Sequence, residues 1–240
     1  MTAAFPEVTI LYQQGACLAV FKPAGVATQA PPGIDSLELR LKHQLAQQAD
    51  RDRPVYLGVP HRLDRPVSGA MLFATSRNMA RRLSRQFEHR EVRKTYWAVV
   101  SGTVEPSVGT WQDFIRKVPG EARAETVPAD HPDAQLAVLH YRVRGQLAEG
   151  TWLEITLETG RTHQIRVQAA ARGLPILGDV QYGSTAAFGP ATEDPRQRVI
   201  ALHGRELRFR DPTTQQSVTV TAQLPAPWLE LSPHMKDLFA

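Results

Sequence analysis

The amino-acid sequence predicts an α+β fold, on three observations. Segments with the two-residue period of strands outnumber those with helical period. The two kinds do not alternate as regular βαβ units. Short apolar runs are separated by Pro/Gly-rich breaks rather than by long helical connections. This pattern favours an α+β domain over a doubly wound one. With 240 residues, 42% hydrophobic and 22% charged, the chain suffices for one sizeable core over residues 1–240. That composition excludes a disordered tail, a collagen-like fibre and a disulfide-stapled miniprotein.

In chain order, Val8–Leu11 and Leu18–Phe21 read as strands around a Gln13-Gln14-Gly15 turn. Lys22-Pro23-Ala24-Gly25 and Pro31-Pro32-Gly33 break the chain. Ser36 is placed to cap a helix in which Leu37, Leu41 and Leu45 recur at helical spacing. The polar stretch His61–Gly69 leads into an apolar strand, Ala70–Ala74. A second helix follows, with Met79, Leu83 and Phe87 on one stripe and Arg77, Arg81, Arg85 and His89 on another. At 100° per residue these stripes lie about 200° apart, so one side packs and the other presents cations. Tyr96–Val100 is a strand. Residues 103–135 read as loops and short strands, with a period only around Trp111–Ile115. Ala137–Val143 and Trp152–Leu157 read as strands, Thr162 as the cap of a helix running to Ala171, and 183–196 as a flexible segment. Val199–Leu202, Glu206–Arg210 and Val218–Ala222 suggest a closing antiparallel set, the last two joined by a turn at Asp211-Pro212-Thr213-Thr214.

The net charge is +4, but its distribution matters more than its size. Seven Lys/Arg against Glu88 and Glu91 lie between Arg77 and Lys94, leaving the rest of the chain near neutral. Such a concentrated stretch suits either a polyanion partner or a solvated helix face. Cys17 is the single cysteine, which excludes an internal disulfide and a multi-cysteine metal cluster. The first residues lack a secretory leader's pattern, and no apolar run approaches a membrane span. A soluble, cytoplasmic chain without a membrane partner is therefore expected.

Four segments carry a high density of polar groups. In His61-Arg62-Leu63-Asp64-Arg65-Pro66-Val67-Ser68-Gly69, Asp64 has a cation on either side of its loop. An ionised carboxylate held so serves as nucleophile or base, or simply pairs with a neighbouring Arg. Gly160–Arg166 places Arg161, His163 and Arg166 at a helix start, as an anion site or as a surface helix start with ordinary caps. Tyr96 stacks on a base or fills the core. Gly178–Gly183 reads as a turn whose polar groups bond to local backbone. His61, His163 and His203 match no zinc spacing, Ser68 lacks the nucleophile-elbow context, and no G-x-G-x-x-G or P-loop is present.

Taken together and in order, these segments resemble the RluA-type family of RNA pseudouridine synthases, over roughly residues 8–222. HRLDRPVSG at 61–69 resembles the family's H-R-L-D-x-x-T-S-G segment. Lys94, Tyr96 and Ala98 resemble its K-x-Y-x-A strand, and Leu157–Arg166 its L-x-T-G-R-x-H-Q-I-R segment. Pro175–Gly183 resembles its P-I-x-G-D-x-x-Y-G turn, and Leu202-His203 through Pro212 its L-H-A-x-x-L-x-F-x-H-P stretch. Leu18–Gly25 is similar to its opening strand and turn, which carries K-P-x-G. Val67 stands for the usual Thr, Gln168 for a His and Gly204 for an Ala. The separate S4-type domain of some members has no counterpart here.

The resemblance implies the pseudouridine synthase fold, a mixed, largely antiparallel central sheet with flanking helices, split into two lobes around a central cleft. It also implies an isomerase that detaches uracil at N1 and rejoins it through C5, in ribosomal or transfer RNA. No metal or cofactor is required, and a monomer is expected. It assigns catalysis to Asp64, stacking on the base to Tyr96, and pairing with Asp64 to Arg166. Arg62 would fill the gap left by a flipped nucleotide, and Leu202 would pack under the sugar or loop. His61, Arg65, Arg77, Arg81, Arg85, Lys94, Arg161 and His163 would contact RNA. Two rival readings are a uracil glycosylase or nucleoside hydrolase, and a non-catalytic RNA-binding protein on a decayed synthase fold.

Overall fold

A computed structural model describes residues 5–48 and 55–231, and the chain divides into two compact units. The first comprises residues 1–93 and 204–223, the second 94–203 and 224–240.

The first unit opens with a hairpin, β1 (Ile10–Gln14) and β2 (Cys17–Lys22), around Gly15 at φ 55°. Helix α1 (Leu37–Gln48) starts where Ser36 Oγ accepts from Leu39 N at 3.2 Å. Strand β3 (Ser68–Ala74) pairs antiparallel with β2, Cys17 opposite Ala74 and Lys22 opposite Gly69. Every residue of β3 is buried, as expected of a strand covered on both faces. Helix α2 (Arg77–Glu88) is capped by Ser76, whose Oγ accepts from Met79 N. Its Met79 and Leu83 pack with Cys17, Leu72, Phe209 and Val220, while Arg77, Arg81, Arg85 and His89 are exposed. Both stripes expected of this helix are therefore present.

The second unit is an antiparallel sheet in the order β4-β8-β7-β5-β6. Its strands are β4 (Arg93–Val100), β5 (Val108–Lys117), β6 (Ala124–Val127), β7 (Gln135–Gln146) and β8 (Thr151–Leu157). Ten-residue β5 corrects the expectation of loops and short strands over 103–135. Its inward face carries Trp111, Asp113 and Ile115, and the carboxylate of Asp113 accepts from Gln168 Nε2 at 2.7 Å and Arg172 Nη1 at 2.8 Å. A charged residue that finds its partners only in the fold interrupts the apolar period on which a strand is recognised. Helix α3 (Gln164–Ala170) is nearly all buried, not a surface helix. Thr162 does not cap it; His163 precedes it at φ 52° with no side-chain cap.

The chain returns to the first unit along β9 (Leu202–Arg210), which forms a hairpin with β10 (Ser217–Thr221). The Asp211 turn joins them as expected, Oδ1 accepting from Thr213 N and Thr214 N. Val199–Ala201 is not a strand. Ala201 instead makes single bonds, its O accepting from Val99 N and its N donating to Leu177 O. A short helix, α4 (Ala226–Leu231), buries Trp228. No helix among the described residues is long and apolar enough to cross a membrane.

Gly69 and Gly204 meet backbone to backbone. A Cβ on Gly69, at φ 139°, would lie 2.4 Å from Gly204 O, whereas a Cβ on Gly204 would make only ordinary contacts, with Leu63 at 3.5 Å and Gly69 Cα at 3.7 Å. Gly204→Ala is therefore expected to be neutral or to gain about 0.5 kcal/mol, because it restricts the unfolded chain without a clash. Gly69→Ala should lose more than about 1 kcal/mol. Urea midpoints of the two variants check this, and equal losses would contradict it.

Candidate active site

In the first unit, the loop carrying Asp64 is held through its backbone on both sides of that residue. Thr28 Oγ1 donates to Leu63 O at 2.8 Å, and Gly25 N donates to Arg65 O at 2.8 Å. Lys22 Nζ donates to Arg65 O at 3.2 Å, and also to Pro23 O at 2.9 Å and Val26 O at 2.6 Å. Val67 N closes a turn onto Asp64 O at 3.1 Å. Asp64 is half-buried, as is the adjacent Arg65, while Arg62 is exposed. His61 faces inward. Its Nε2 accepts from Leu72 N at 2.8 Å, and its ring stacks on Phe87 with centroids 4.5 Å apart.

Lys22 is the residue least legible beforehand: it ends an apolar strand and is fully buried. Burial pushes its ammonium down from 10.5 to about 7, with Asp64's charge opposing the shift and Arg65 and Arg40 assisting it. In the unfolded chain it keeps its proton up to its ordinary value. Between pH 7 and 10.5 the unfolded state therefore binds more protons, and stability rises with pH; below 7 this contribution is flat. From pH 7 to 8.5 the wild type should gain up to about 2 kcal/mol relative to Lys22→Met, read from urea midpoints. Parallel pH profiles for the two proteins would refute it.

In the second unit, the Gly160–Arg166 segment is folded around Gln164. Its Oε1 accepts from Thr159 Oγ1 at 2.8 Å and Arg161 N at 3.1 Å, and its Nε2 donates to Val138 O at 3.0 Å. Arg161 Nε donates to Leu136 O at 3.0 Å. His163 Nδ1 lies 2.9 Å from the Tyr182 hydroxyl.

Arg166 is 4% exposed and forms a bidentate pair with Asp179, Nε–Oδ2 2.7 Å and Nη2–Oδ1 2.8 Å. Nη2 also donates to Gln181 Oε1 at 2.8 Å, and the guanidinium lies 4.8 Å from the Tyr182 ring centroid. The Gly178–Gly183 turn thus does not spend its polar groups on local backbone alone, as the sequence suggested: Asp179, Gln181 and Tyr182 all meet Arg166. Gly178, at φ 81°, lets the turn pack closely on residues 199–200, since a Cβ there would fall 2.6 Å from Val199 O.

Tyr96 is 8% exposed on β4, opposite Ile155. Lys94 lies two residues away, on the same face of the strand. Burial lowers its pKa, and its Nζ leans on Gly160, where a Cβ would meet it at 3.0 Å. Leu202 is buried at the start of β9. The departures at 67 and 168 both serve packing. Val67 is 2% exposed, and Gln168 Nε2 bonds to Asp113 and to Trp111 O. Sequence reasoning assigned no supporting role to Thr28, nor to Gln164, Asp179 and Gln181, although the last three lie within its motif segments.

Comparison with known proteins bears on the chemistry. A sequence profile described as RNA pseudouridylate synthase matches residues 16–171. The tRNA pseudouridine synthase C of Pasteurella multocida is 34% identical over 235 residues, covering 92% of this chain and 93% of that protein. The ribosomal large subunit pseudouridine synthase D of Xanthomonas campestris is 33% identical over 225 residues, covering 91% of this chain and 66% of that protein. The solved structure of human RNA pseudouridylate synthase domain containing 4 superposes with a TM-score of 0.74 at 24% identity, covering 94% of this chain and 92% of that one.

Proposed function

Because the chain belongs to the RNA pseudouridylate synthase family, and so is an isomerase acting on uridine in RNA, we propose that Asp64 carries the reaction. The observation that supports this most is the brace on its loop. The carbonyls of both neighbours, Leu63 and Arg65, are held by Thr28, Lys22 and Gly25. A carboxylate fixed through its backbone, half-buried and within electrostatic reach of Lys22, is preorganised for attack or proton abstraction.

In this reading the target uridine leaves the stack. Asp64 acts as nucleophile or base while the bond from N1 to the ribose breaks. The uracil turns, its C5 bonds to the ribose C1′, and the C5 proton departs as N1 regains one. Atoms and electrons balance without an oxidant or reductant. Tyr96 stacks on the base, Arg166 orients Asp64, and Leu202 packs under the sugar or loop. Arg62 fills the vacated place in the stack. His61, Arg65, Arg77, Arg81, Arg85, Lys94, Arg161 and His163 contact the RNA, which is transfer or ribosomal RNA. The enzyme works as a monomer in the cytoplasm.

Cellular RNA carrying tritium at uracil C5 tests the reading. Rejoining through C5 must expel tritium into water. Labelled free uracil would identify a glycosylase instead, and unaltered, bound RNA a non-catalytic binder.

A further inference from the structure

Arg82, Arg85, Gln86 and His89 recur at positions i, i+3, i+4 and i+7, so they form one stripe along the second half of α2. With Arg210 and the β9–β10 turn they line an open concavity of about 330 Å³. The walls are locked together. Gln86 Nε2 donates to Arg210 O at 2.7 Å while its Oε1 accepts from Arg210 N at 3.1 Å, and Arg82 donates to Pro212 O. Arg210 Nε donates to Gln215 O at 3.0 Å. Each of these guanidiniums keeps further N–H donors for a ligand, since five are available and these bonds use few. The Arg85 side chain makes no hydrogen bond or ion pair among the described residues, while its carbonyl accepts from His89 N at 2.9 Å. Glu91 is the single acid in the lining, so the notch is strongly positive.

The notch is also tied to the Asp64 loop. Phe87, the next residue after Gln86, carries the stacked ring of His61. One rigid helix thus connects the cationic lining to the loop three residues before Asp64. Arg77 and Arg81, earlier on the helix, are not part of this lining: Arg77 approaches the Tyr56 ring at 6.0 Å and Arg81 bonds to Asn78 at 3.2 Å.

We propose that this notch between α2 and the β9–β10 turn seats a backbone phosphate of the substrate RNA outside the target nucleotide, anchoring the flanking strand at a fixed offset from Asp64. The proposal rests on the reading that RNA is the substrate. Guanidinium forks match phosphate oxygens bidentately, and such contacts position a nucleic acid without reading its sequence.

The test is the double variant Arg85→Gln, Arg210→Gln, both positions being exposed. Its melting temperature verifies folding. Filter binding of radiolabelled, unfractionated cellular RNA is measured between about 50 and 200 mM salt. The expected result is an affinity loss of about tenfold and a salt slope shallower by about 1, the loss of one phosphate contact. A wild-type slope in a folded variant would overturn the proposal, as would a loss of kcat with the slope intact. Tritium release by the wild-type enzyme is scored separately. If it is absent while the slope still changes, the synthase reading fails and the phosphate site stands.

Discussion

Asp64→Asn is expected to lower release of the C5 hydrogen from RNA uracil by about 10⁴-fold. The amide is nearly isosteric with the carboxylate, but it is a poor nucleophile and cannot accept the proton. The contacts that shape the loop are made by neighbouring backbone: Leu63 O to Thr28, Arg65 O to Lys22 and Gly25, and Asp64 O to Val67 N. None uses the Asp64 side chain, so the variant should keep this scaffold and its affinity for RNA. Tritium release under single turnover, with binding measured in parallel, checks both halves. Activity within tenfold of wild type would remove Asp64 from the chemistry.

Asp179→Asn has the largest expected effect on stability. The Arg166 guanidinium and the Asp179 carboxylate are 4% and 1% exposed and share two short hydrogen bonds. Removing one charge of a buried pair leaves the other desolvated, which costs about 3–5 kcal/mol. For a protein of this size that lowers the melting temperature by about 10 °C. Gln181, which adds one neutral acceptor to Arg166, should matter less: Gln181→Ala costs about 1 kcal/mol. A double replacement, Arg166→Met with Asp179→Leu, removes both charges and should recover much of the lost stability. It should not recover tritium release if Arg166 orients Asp64. Recovery of both would make the pair purely structural, and a loss below about 1 kcal/mol for Asp179→Asn would show that the buried charge is satisfied without its partner.

The hairpin at Gly15, the Ser36 and Ser76 caps, the two faces of α2 and the Asp211 turn were readable because each depends on residues a few positions apart. Periodicity, caps and turn chemistry are local, and the local preference agrees with the fold. The same holds for the motif segments, whose collinear order identified the family before any coordinate.

What the sequence by itself determined, then, was the element types around the candidate site, the family and the residues to suspect: Asp64, Tyr96 and Arg166. Tertiary structure alone decided how they are held. Lys22 reaches 43 residues along the chain to Arg65 O, Arg82 reaches 130 to Pro212, and Arg166 meets Asp179 across 13. It also decided that β5 is a strand, because Asp113 can face inward only where Gln168 and Arg172 arrive to satisfy it. A buried polar or charged side chain is stable only with a partner, and nothing in the local pattern names a partner that the chain supplies from elsewhere.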